Sequence, residues 1–222
     1  MRAALSRIVS SAEKDWRGWL KSRRERTCMA RQELSEDLAD RLPPGQYAAR
    51  DFPVLHVGSV PPFDPKKWRF KISGEVDHPQ ELTWQQFTAL PTKTVRTDIH
   101  CVTRWTKFDA AWEGVPFTEI VKLAGVKPAA HFVVTHGANG YSANVPLDLA
   151  RDDSVLFAHT YEGKPLEPIH GGPLRMFVPK RYFWKSTKWC HGVEFSAIDQ
   201  PGFWEVRGYH NNGDPWKEER YW

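Results

Sequence analysis

One cysteine of this chain ends a predicted strand, at a point where its thiol can reach a polar loop. Residues 95–101 alternate between apolar and polar side chains, as in a half-buried strand, and Cys101 is the last of them. Arg104 and Lys107 follow it, and nearby positive charge favours the thiolate, which attacks electrophiles or binds soft metals. Free cysteine is also among the most buried residue types, so these residues alone favour a structural cysteine.

A cationic stretch without acidic residues lies further along the chain, at residues 168–193. Its five cations are Arg175, Lys180, Arg181, Lys185 and Lys188. Such a run is consistent with a solvated basic face, a site for a small anionic ligand or a nucleic-acid contact. Gly171 and Gly172 permit a close backbone approach, and the guanidinium and ammonium groups beside them can reach a phosphate.

Composition excludes several classes of protein. The chain has 222 residues, 41% of them hydrophobic and 26% charged, so it is expected to fold without disulfide or metal staples. Its cysteines, Cys28, Cys101 and Cys190, form no Cys-x-x-Cys pair, which argues against a disulfide framework and a structural zinc site. The sequence has no run of about 20 apolar residues, and residues 1–20 carry charges where a signal peptide needs an apolar stretch. We therefore expect a cytoplasmic protein without a membrane span.

The pattern of apolar residues predicts many strands and few, short helices. Alternation predicts strands at 68–72 and 95–101, and Pro116 and Gly125 bracket a predicted helix. Further strands are predicted at 131–136, 141–145, 155–159, 174–178 and 187–195. This mixture, without an internal repeat, is typical of an α+β fold. The sequence contains no glycine-rich phosphate loop, G-x-S-x-G elbow or H-E-x-x-H helix, so nucleotide-binding and zinc-protease functions lose support.

Two parts are predicted: a helical arm at residues 1–50 and a main domain at residues 51–222. Apolar residues at three- and four-residue steps over residues 5–20 predict an amphipathic helix that packs on the body or on a partner. The formal net charge of +4 lies entirely in the arm, because residues 51–222 contain equal numbers of cations and anions. The cationic stretch is therefore a local feature of a neutral domain.

Two motifs within the cationic stretch resemble a known family. Residues 170–179 read H-G-G-P-L-R-M-F-V-P, and residues 186–189 read S-T-K-W. Together they are similar to the pterin-binding segment of the sulfite oxidase family of molybdenum enzymes. The resemblance spans residues 51–222. Within the family, the sequence is most similar to the stand-alone bacterial sulfite oxidase-like proteins. It implies the molybdopterin-binding fold of that family, with mixed β-sheets and short helices.

The resemblance also implies roles for individual residues. It makes Cys101 the metal ligand of a molybdenum–molybdopterin cofactor, because the family's ligating cysteine precedes the pterin motif by about 70 residues, as here. It makes Tyr141, within the segment 140–146, the active-site tyrosine beside the metal. Thr135 falls where the peptide-methionine sulfoxide reductase branch has a threonine near molybdenum. The implied cofactor contacts are His56, Ser59, Thr135, His170, Arg175, Ser186, Thr187 and Lys188.

One departure from the family pattern concerns the substrate. Sulfite oxidases carry an arginine that holds sulfite and an asparagine that touches the pterin, and this chain has Leu55 and His56 there. An apolar Leu55 cannot pair with a dianion, which argues against sulfite itself unless Arg104 or Lys107 replaces the arginine. Arg104 is therefore a third candidate catalytic residue, beside the cysteine and the tyrosine.

The implied reaction is a two-electron oxygen-atom transfer on a small oxo-anion or a sulfoxide-type substrate. Haem, flavin and iron–sulfur motifs are missing from the sequence, so electrons are expected to pass to or from a separate partner protein. Two alternatives stay open. The first is a non-catalytic cofactor-binding protein with the same fold. The second is a basic nucleic-acid-binding module that uses residues 180–189 and the arm, and it predicts an affinity that falls steeply with salt.

Overall fold

The fold consists of two β-sheets with few, short helices, in a computed structural model that describes residues 34–222. The strands of these residues are β1 (Tyr47–Ala48), β2 (Arg69–Gly74), β3 (Gln80–Thr83), β4 (Lys93–His100), β5 (Trp105–Pro116), β6 (Phe132–Gly137), β7 (Ser142–Pro146), β8 (Leu156–Tyr161), β9 (Lys164–Pro165), β10 (Arg175–Phe177) and β11 (Cys190–Ser196). The helices are α1 (Glu36–Asp40), α2 (Trp84–Thr88), α3 (Phe117–Ala124) and α4 (Leu147–Ala150). Single 3₁₀ turns lie at Ala138–Gly140, Pro168–His170, Phe183–Lys185 and Glu205–Arg207. The predicted α+β class is confirmed.

The first sheet is organised around the long strand β5. Strand β4 pairs antiparallel with one edge of β5, while β1 and β8 pair with the other edge, near its start and its end. Strand β8 in turn pairs with β10 and with the short β9. The second sheet has the order β3-β2-β11-β6-β7, in which β2 and β11 run parallel and the other neighbours antiparallel. The turn at residues 101–105 joins β4 to β5, so Cys101 lies at one end of the first sheet.

Apolar side chains of both sheets meet in a shared core. Phe70 of β2 and Phe157 of β8 contact each other with ring centroids 4.9 Å apart, and Phe117 of α3 stacks on Phe157. A second buried cluster contains Trp112 of β5 and Phe183, whose centroids lie 6.0 Å apart. Burying one such side chain stabilises a fold by roughly 1.5 to 3 kcal/mol. The first cluster therefore holds the two sheets together, and the second packs the first sheet against the segment around Phe183.

Helix α3 has the bounds that the sequence predicts, and it buries one face. Pro116 precedes it, and Gly125 ends it in the left-handed region with a φ of +60°. Glycine adopts this conformation without a steric cost, which makes it a common helix end. The buried residues of the helix are Phe117, Ile120 and Ala124, which share one face at three- and four-residue spacing.

Residues on the N-terminal side of position 51 also pack on the body. Leu42 and Gln46 are buried, and β1 pairs in parallel with Trp105 and Thr106 at the start of β5. The packed body therefore includes residues from the C-terminal end of the predicted arm. The amphipathic helix predicted at residues 5–20 lies outside the described residues. Within residues 34–222, no helix is long and apolar enough to cross a membrane.

Candidate functional site

A cavity of about 330 Å³ brings several of the predicted site residues together. Four parts of the chain form most of its wall: residues 52–57, the β4–β5 turn, the segment 183–189 and the C-terminal segment around residues 204–209. The residues that line the cavity include Leu55, His56, Cys101, Tyr141, Arg175, Trp184, Ser186, Lys188, Trp204 and Tyr209. The predicted metal ligand, tyrosine and cations therefore face one space.

A tight turn holds Cys101 at the cavity wall. The Cys101 amide donates to the Trp105 carbonyl at 2.9 Å, and the Arg104 amide donates to the Cys101 carbonyl at 2.9 Å. Gln46 Nε2 donates to that same carbonyl at 3.1 Å. The Cys101 Sγ atom accepts a hydrogen bond from the Thr103 hydroxyl at 3.2 Å. These bonds fix the backbone on both sides of a cysteine that lines the cavity.

Burial and nearby cations act in opposite directions on the Cys101 thiol. Burial raises its pKa above the ordinary value, while the hydrogen bonds from Thr103 and the charges of Arg175 and Arg220 lower it in part. The thiol is therefore expected to stay protonated at neutral pH. Coordination to a metal would deprotonate it, because the charge of the metal outweighs the cost of burying a thiolate.

The two cations that follow Cys101 in sequence do not line the cavity. Arg104 is exposed, and its φ of +75° places it in the left-handed region. Lys107 Nζ donates to the Arg50 carbonyl at 2.8 Å. The prediction that these two charges act on the thiol is wrong, because the turn directs its positive groups away from the sulfur. The catalytic role of Arg104 stays a prediction, and its exposed position argues against that role.

Arg175 is a buried cation without a carboxylate partner. It is 3% exposed, and no aspartate or glutamate of residues 34–222 forms an ion pair with it. Nη1 donates to the His170 carbonyl at 2.8 Å, and the guanidinium lies 3.7 Å from the ring centroid of Phe183. Nε has no hydrogen-bond partner in the described part of the chain, and burial lowers the pKa of Arg175 to about 9. Because an unpaired buried charge is costly, this environment indicates an anionic ligand.

Lys188 and His170 share the environment of Arg175. Lys188 Nζ donates to the Ile169 carbonyl at 2.8 Å, and burial together with the charge of Arg175 lowers the pKa of Lys188 to about 7. The His170 ring stacks on Phe52 with centroids 4.1 Å apart, and burial lowers its pKa, as do the two cations. Its Nδ1 atom is buried without a hydrogen-bond partner among the described residues. Negative charge or a polar ring beside these groups would satisfy all three.

Of the four predicted hydroxyl contacts, Ser59, Thr135, Ser186 and Thr187, only Ser186 lines the cavity. Its Oγ atom accepts a hydrogen bond from the Val178 amide at 2.9 Å. The hydroxyls of Thr135 and Thr187 lie 2.6 Å apart, both residues are buried, and Thr135 also donates to the Ala143 carbonyl at 3.2 Å. The two threonines therefore tie β6 to the segment after β10. The structure does not bring their side chains to the predicted cofactor contact.

Tyr141 lines the cavity, and its hydroxyl donates to the Trp184 carbonyl at 2.5 Å. The tyrosine ring stacks on Phe203 with centroids 5.4 Å apart. Burial, with a contribution from the charge of Glu205, raises the pKa of the phenol far above its ordinary value, so the group stays protonated. Because a carbonyl can only accept, the single phenol proton points at Trp184 rather than at the interior of the cavity.

The segment that departs from the sulfite oxidase pattern forms one wall of the cavity. Leu55 is 50% exposed and lines the cavity, so an apolar side chain stands where the family pattern has an arginine. His56 also lines the cavity, and its ring meets that of Trp189 edge-on with centroids 5.5 Å apart. Ser59 is exposed and outside the lining, and its carbonyl accepts a hydrogen bond from Asn139 Nδ2 at 2.9 Å.

The C-terminal segment contributes residues to which the sequence pattern assigns no role, although residues 208–216 resemble the C-terminus of the sulfite oxidase-like group. Trp204 and Tyr209 line the cavity, and Glu205 is buried between them in the chain. Arg220 Nη1 donates to the Val102 carbonyl at 2.7 Å, across a sequence separation of 118 residues. No local pattern could reveal contacts of this range, because they depend on the packing of the chain ends against the β4–β5 turn.

Comparison with known proteins identifies the family. A family model for the oxidoreductase molybdopterin binding domain matches residues 57–204. The chain belongs to this family. YuiH of Bacillus subtilis (strain 168), an uncharacterized oxidoreductase, is 44% identical over 186 residues, which are 83% of this chain and 94% of that protein. The sulfite oxidase-like resemblance and the molybdenum–molybdopterin cofactor expected from it are confirmed at the level of this family.

More distant relatives of this molybdopterin-binding oxidoreductase are larger. A putative protein-methionine-sulfoxide reductase subunit, YedZ1 of Azospira oryzae, is 26% identical over 75% of this chain and 64% of its own length. A nitrate reductase of Beauveria bassiana is 25% identical, and the match covers 79% of this chain and 24% of that enzyme. The crystal structure of the sulfane dehydrogenase SoxCD from Paracoccus pantotrophus matches with a TM-score of 0.59 and 21% identity, over 69% of this chain and 43% of that one. This likeness confirms the predicted fold.

The residues around the cavity fit a molybdopterin cofactor. Cys101 offers a soft sulfur ligand for the metal, and it lines the same space as Arg175 and Lys188. The unpaired Nε atom of Arg175 is a hydrogen-bonding group that a phosphate or a polar heterocycle can satisfy. His170, whose Nδ1 atom is also unpaired, stacks on the lining residue Phe52 and does not itself line the cavity. Cys101 would therefore ligate molybdenum, while Arg175 and Lys188 would hold the pterin phosphate.

Proposed function

We propose that this oxidoreductase catalyses a two-electron oxygen-atom transfer on a small oxo-anion or a sulfoxide-type substrate. One observation carries the proposal: the Cys101 thiol and the buried Arg175, which has no ion-pair partner among the described residues, line the same cavity. A soft metal ligand and an uncompensated buried cation are together what a cofactor with a metal and a phosphate requires. The bound cofactor supplies the redox-active metal, and the protein supplies binding, orientation and electrostatics.

The cations provide most of the cofactor affinity in this proposal. Arg175 and Lys188 donate charge-assisted hydrogen bonds to the phosphate, and each such bond contributes roughly 1.5 to 3 kcal/mol. The position of Cys101 at the end of β4 is set by backbone hydrogen bonds, so the sulfur enters the cavity from a rigid turn. A rigid ligand reduces the reorganisation that binding would otherwise demand.

Tyr141 acts as a hydrogen-bond donor to the substrate oxygen in this proposal. Its phenol is protonated and lies against the Trp184 carbonyl, which holds the proton in a defined place. A substrate oxygen that enters the cavity replaces this carbonyl as the acceptor, and the hydrogen bond then stabilises negative charge that develops on the oxygen. Rotation of the phenol hydroxyl about its C–O bond is enough to redirect this hydrogen bond from the carbonyl to the substrate oxygen.

The cavity wall favours a substrate of low charge. Leu55 offers no cation to a substrate, and Arg175 and Lys188 are engaged by the cofactor in this proposal. A sulfoxide or a singly charged oxo-anion therefore fits the wall better than a dianion such as sulfite. In this proposal, electrons pass to or from a separate redox partner protein.

The test is an elemental and pterin analysis of protein made in a host that synthesises the molybdenum cofactor, combined with dye-linked turnover of candidate substrates. We expect molybdenum and pterin to copurify with the wild-type chain, and turnover to require both. Cys101→Ser should abolish turnover and leave the pterin largely bound, because a hydroxyl is a poor ligand for a soft metal and the phosphate contacts lie elsewhere. Cys190→Ser is the matched control, because Cys190 is buried and does not line the cavity.

Two outcomes would contradict the proposal. Full turnover in Cys101→Ser would show that Cys101 is not the metal ligand. Wild-type protein that is loaded with molybdenum and pterin but turns over none of the tested oxo-anions or sulfoxides would favour the non-catalytic cofactor-binding alternative.

A further inference from the structure

A buried ion pair stands directly behind the cavity wall. Lys185 Nζ and Glu205 Oε1 lie 2.6 Å apart, and each side chain is 1% exposed. Lysine and glutamate are almost never fully buried unless they are paired. Burial of such a pair usually adds little stability, since apolar residues of similar size often replace it at no cost. The pair therefore calls for a role other than stability.

Three hydrogen bonds connect the pair to its surroundings. Lys185 Nζ donates to both the carbonyl and the Oδ1 atom of Asn144, at 2.9 Å each. The indole Nε1 atom of Trp184 donates to Glu205 Oε1 at 2.8 Å. Through its contacts with Trp184 and Lys185, Glu205 thus connects the C-terminal segment to the 3₁₀ turn Phe183–Lys185.

The same turn holds the hydroxyl of Tyr141. Trp184 is fixed at its indole by Glu205, and its own carbonyl accepts the Tyr141 proton at 2.5 Å. Both aromatic residues line the cavity, whereas neither Lys185 nor Glu205 does. A change at Glu205 can therefore reach the cavity through Trp184 and the hydroxyl that rests on its carbonyl.

We propose that Glu205 is a positioning residue, which through Trp184 fixes the place of the Tyr141 hydroxyl in the cavity. The expected effect on turnover rests on the proposed function, in which Tyr141 donates a hydrogen bond to the substrate oxygen. The expected effect of Glu205 on the position of the Tyr141 hydroxyl does not rest on it. Misplacement of a reacting group by about 1 Å can lower a rate about 100-fold, so a rigid support for the phenol has a kinetic value. The negative charge of Glu205 also helps to keep the phenol protonated.

The experiment replaces the pair by apolar residues, with Glu205→Leu and Lys185→Met in one protein. The matched control is Glu119→Leu with Lys122→Met, an ion pair of the same 2.6 Å length on helix α3 that does not line the cavity. Each protein carries 3-fluorotyrosine at its six tyrosines, and the ¹⁹F resonance of Tyr141 is assigned with Tyr141→Phe. Melting temperature, molybdenum content, kcat and KM are measured on the same samples.

We expect the double variant to melt below wild type, because Trp184 Nε1 and the Asn144 carbonyl lose their partners, and to keep its molybdenum. Its Tyr141 resonance should shift or broaden while the resonance of Tyr161 stays in place, and kcat should fall roughly 10- to 100-fold with little change in KM. The control should match wild type in every measurement. A double variant that folds with an unchanged Tyr141 resonance, or with an unchanged kcat, overturns the proposal.

A second variant covers the case in which the apolar pair does not fold. Glu205→Asp keeps the charge and withdraws the carboxylate by one methylene, so the Tyr141 resonance must still move if the support is positional. An unmoved resonance in this variant also overturns the proposal. The resonance needs no turnover, so a failure of the proposed function, seen as wild-type protein without molybdenum or activity, is distinguished from a failure of this inference.

Discussion

At the scale of single residues, the cavity is defined by charges that the protein itself does not neutralise. Arg175 is buried against the ring of Phe183 and two backbone carbonyls, and no carboxylate among the described residues pairs with it. Lys188 lies near enough for the charge of Arg175 to lower its pKa. Two like charges in one partly buried place destabilise a chain unless an anion joins them. In the proposed function, that anion is the phosphate of the bound cofactor.

Removal of the guanidinium should therefore reduce cofactor loading. We expect Arg175→Ala to contain at most a tenth of the molybdenum and pterin of wild type, because the loss of a charge-assisted hydrogen bond of roughly 1.5 to 3 kcal/mol weakens binding at least about tenfold. The measurement is molybdenum per chain together with pterin fluorescence after extraction. Arg69→Ala removes an exposed arginine from β2 and should load normally. A fully loaded Arg175→Ala protein would exclude a phosphate or pterin contact for this residue.

Lys188 should make anion binding depend on pH near neutrality. In the cofactor-free protein the pKa of Lys188 is lowered to about 7, so the ammonium is present below that value and is lost as the pH rises through it. Binding of an anion stabilises the charged form, and affinity should therefore fall between about pH 6 and pH 8. Sulfate serves as the probe in calorimetric titrations, because its charge is constant in this range. Lys188→Arg keeps its charge and should bind sulfate with little pH dependence; equal pH dependence in both proteins would refute the assignment.

At the scale of elements, tight turns bring the reactive groups to the cavity. The β4–β5 turn aims Cys101 inward while Arg104 points to solvent. Gly171, with a φ of +110°, packs against Lys188, whose Cβ atom would lie 3.0 Å from an added methyl group. A Cβ atom on Gly172 would lie 1.9 Å from the Leu166 carbonyl oxygen. The close approach predicted for these glycines is therefore made to other segments of the same chain. The contact of Gly171 with Lys188 sets the position of that lysine.

The last residue of β4 should make the stability of the fold sensitive to acid. His100 is 6% exposed, contacts the Thr106 hydroxyl of β5 at 2.9 Å, and burial lowers its pKa to about 4 from an ordinary value of 6.5. The unfolded chain binds a proton in that window and the folded chain does not, so the stabilisation is complete above about pH 6.5 and is lost toward pH 4. The loss is on the order of 3 kcal/mol.

Urea unfolding at several pH values between 4 and 7 measures this effect. We expect the free energy of unfolding of His100→Gln to vary less with pH in this window than that of wild type. His78→Gln, at an exposed histidine, is the control and should retain the slope of wild type. An undiminished slope in His100→Gln would assign the acid sensitivity to other groups.

At the scale of the whole molecule, the cavity is closed by parts of the chain that lie far apart in sequence. The C-terminal segment supplies Trp204 and Tyr209, and Gln46 and Arg220 reach the β4–β5 turn from opposite ends of the described chain. The cationic stretch is turned inward in the same way, since Arg175 and Lys185 are buried. Their charge is not available to a nucleic-acid backbone, so the nucleic-acid alternative loses Lys185 from the run 180–189 on which it depends, while Lys180 stays exposed.

Because the cavity joins distant segments, its ligand should stabilise the fold as a whole. A ligand that binds only the folded chain adds about 2.7 kcal/mol when it is present at 100 times its Kd. We expect the loaded protein to melt several degrees above protein made in a host that cannot synthesise the cofactor, as scanning calorimetry would show. Arg175→Ala from the two hosts should differ little in melting temperature. An equal melting temperature for loaded and cofactor-free wild type would mean that the cofactor is held at a site that does not depend on the fold.

Local patterns in the sequence were sufficient for seven of the strands, for helix α3 and for the two motifs that mark the family, because propensity, capping and loop chemistry act within a few residues. They did not predict β5, the strand around which the first sheet is organised. They were also sufficient to single out Cys101, Tyr141, Arg175, Ser186 and Lys188, which line one cavity. Tertiary structure decided which cations face the thiol, that the Tyr141 proton lies on the Trp184 carbonyl, and that Glu205 stands behind it. Those contacts depend on how distant segments pack and on which groups are removed from water, and neither is encoded in the spacing of neighbouring residues.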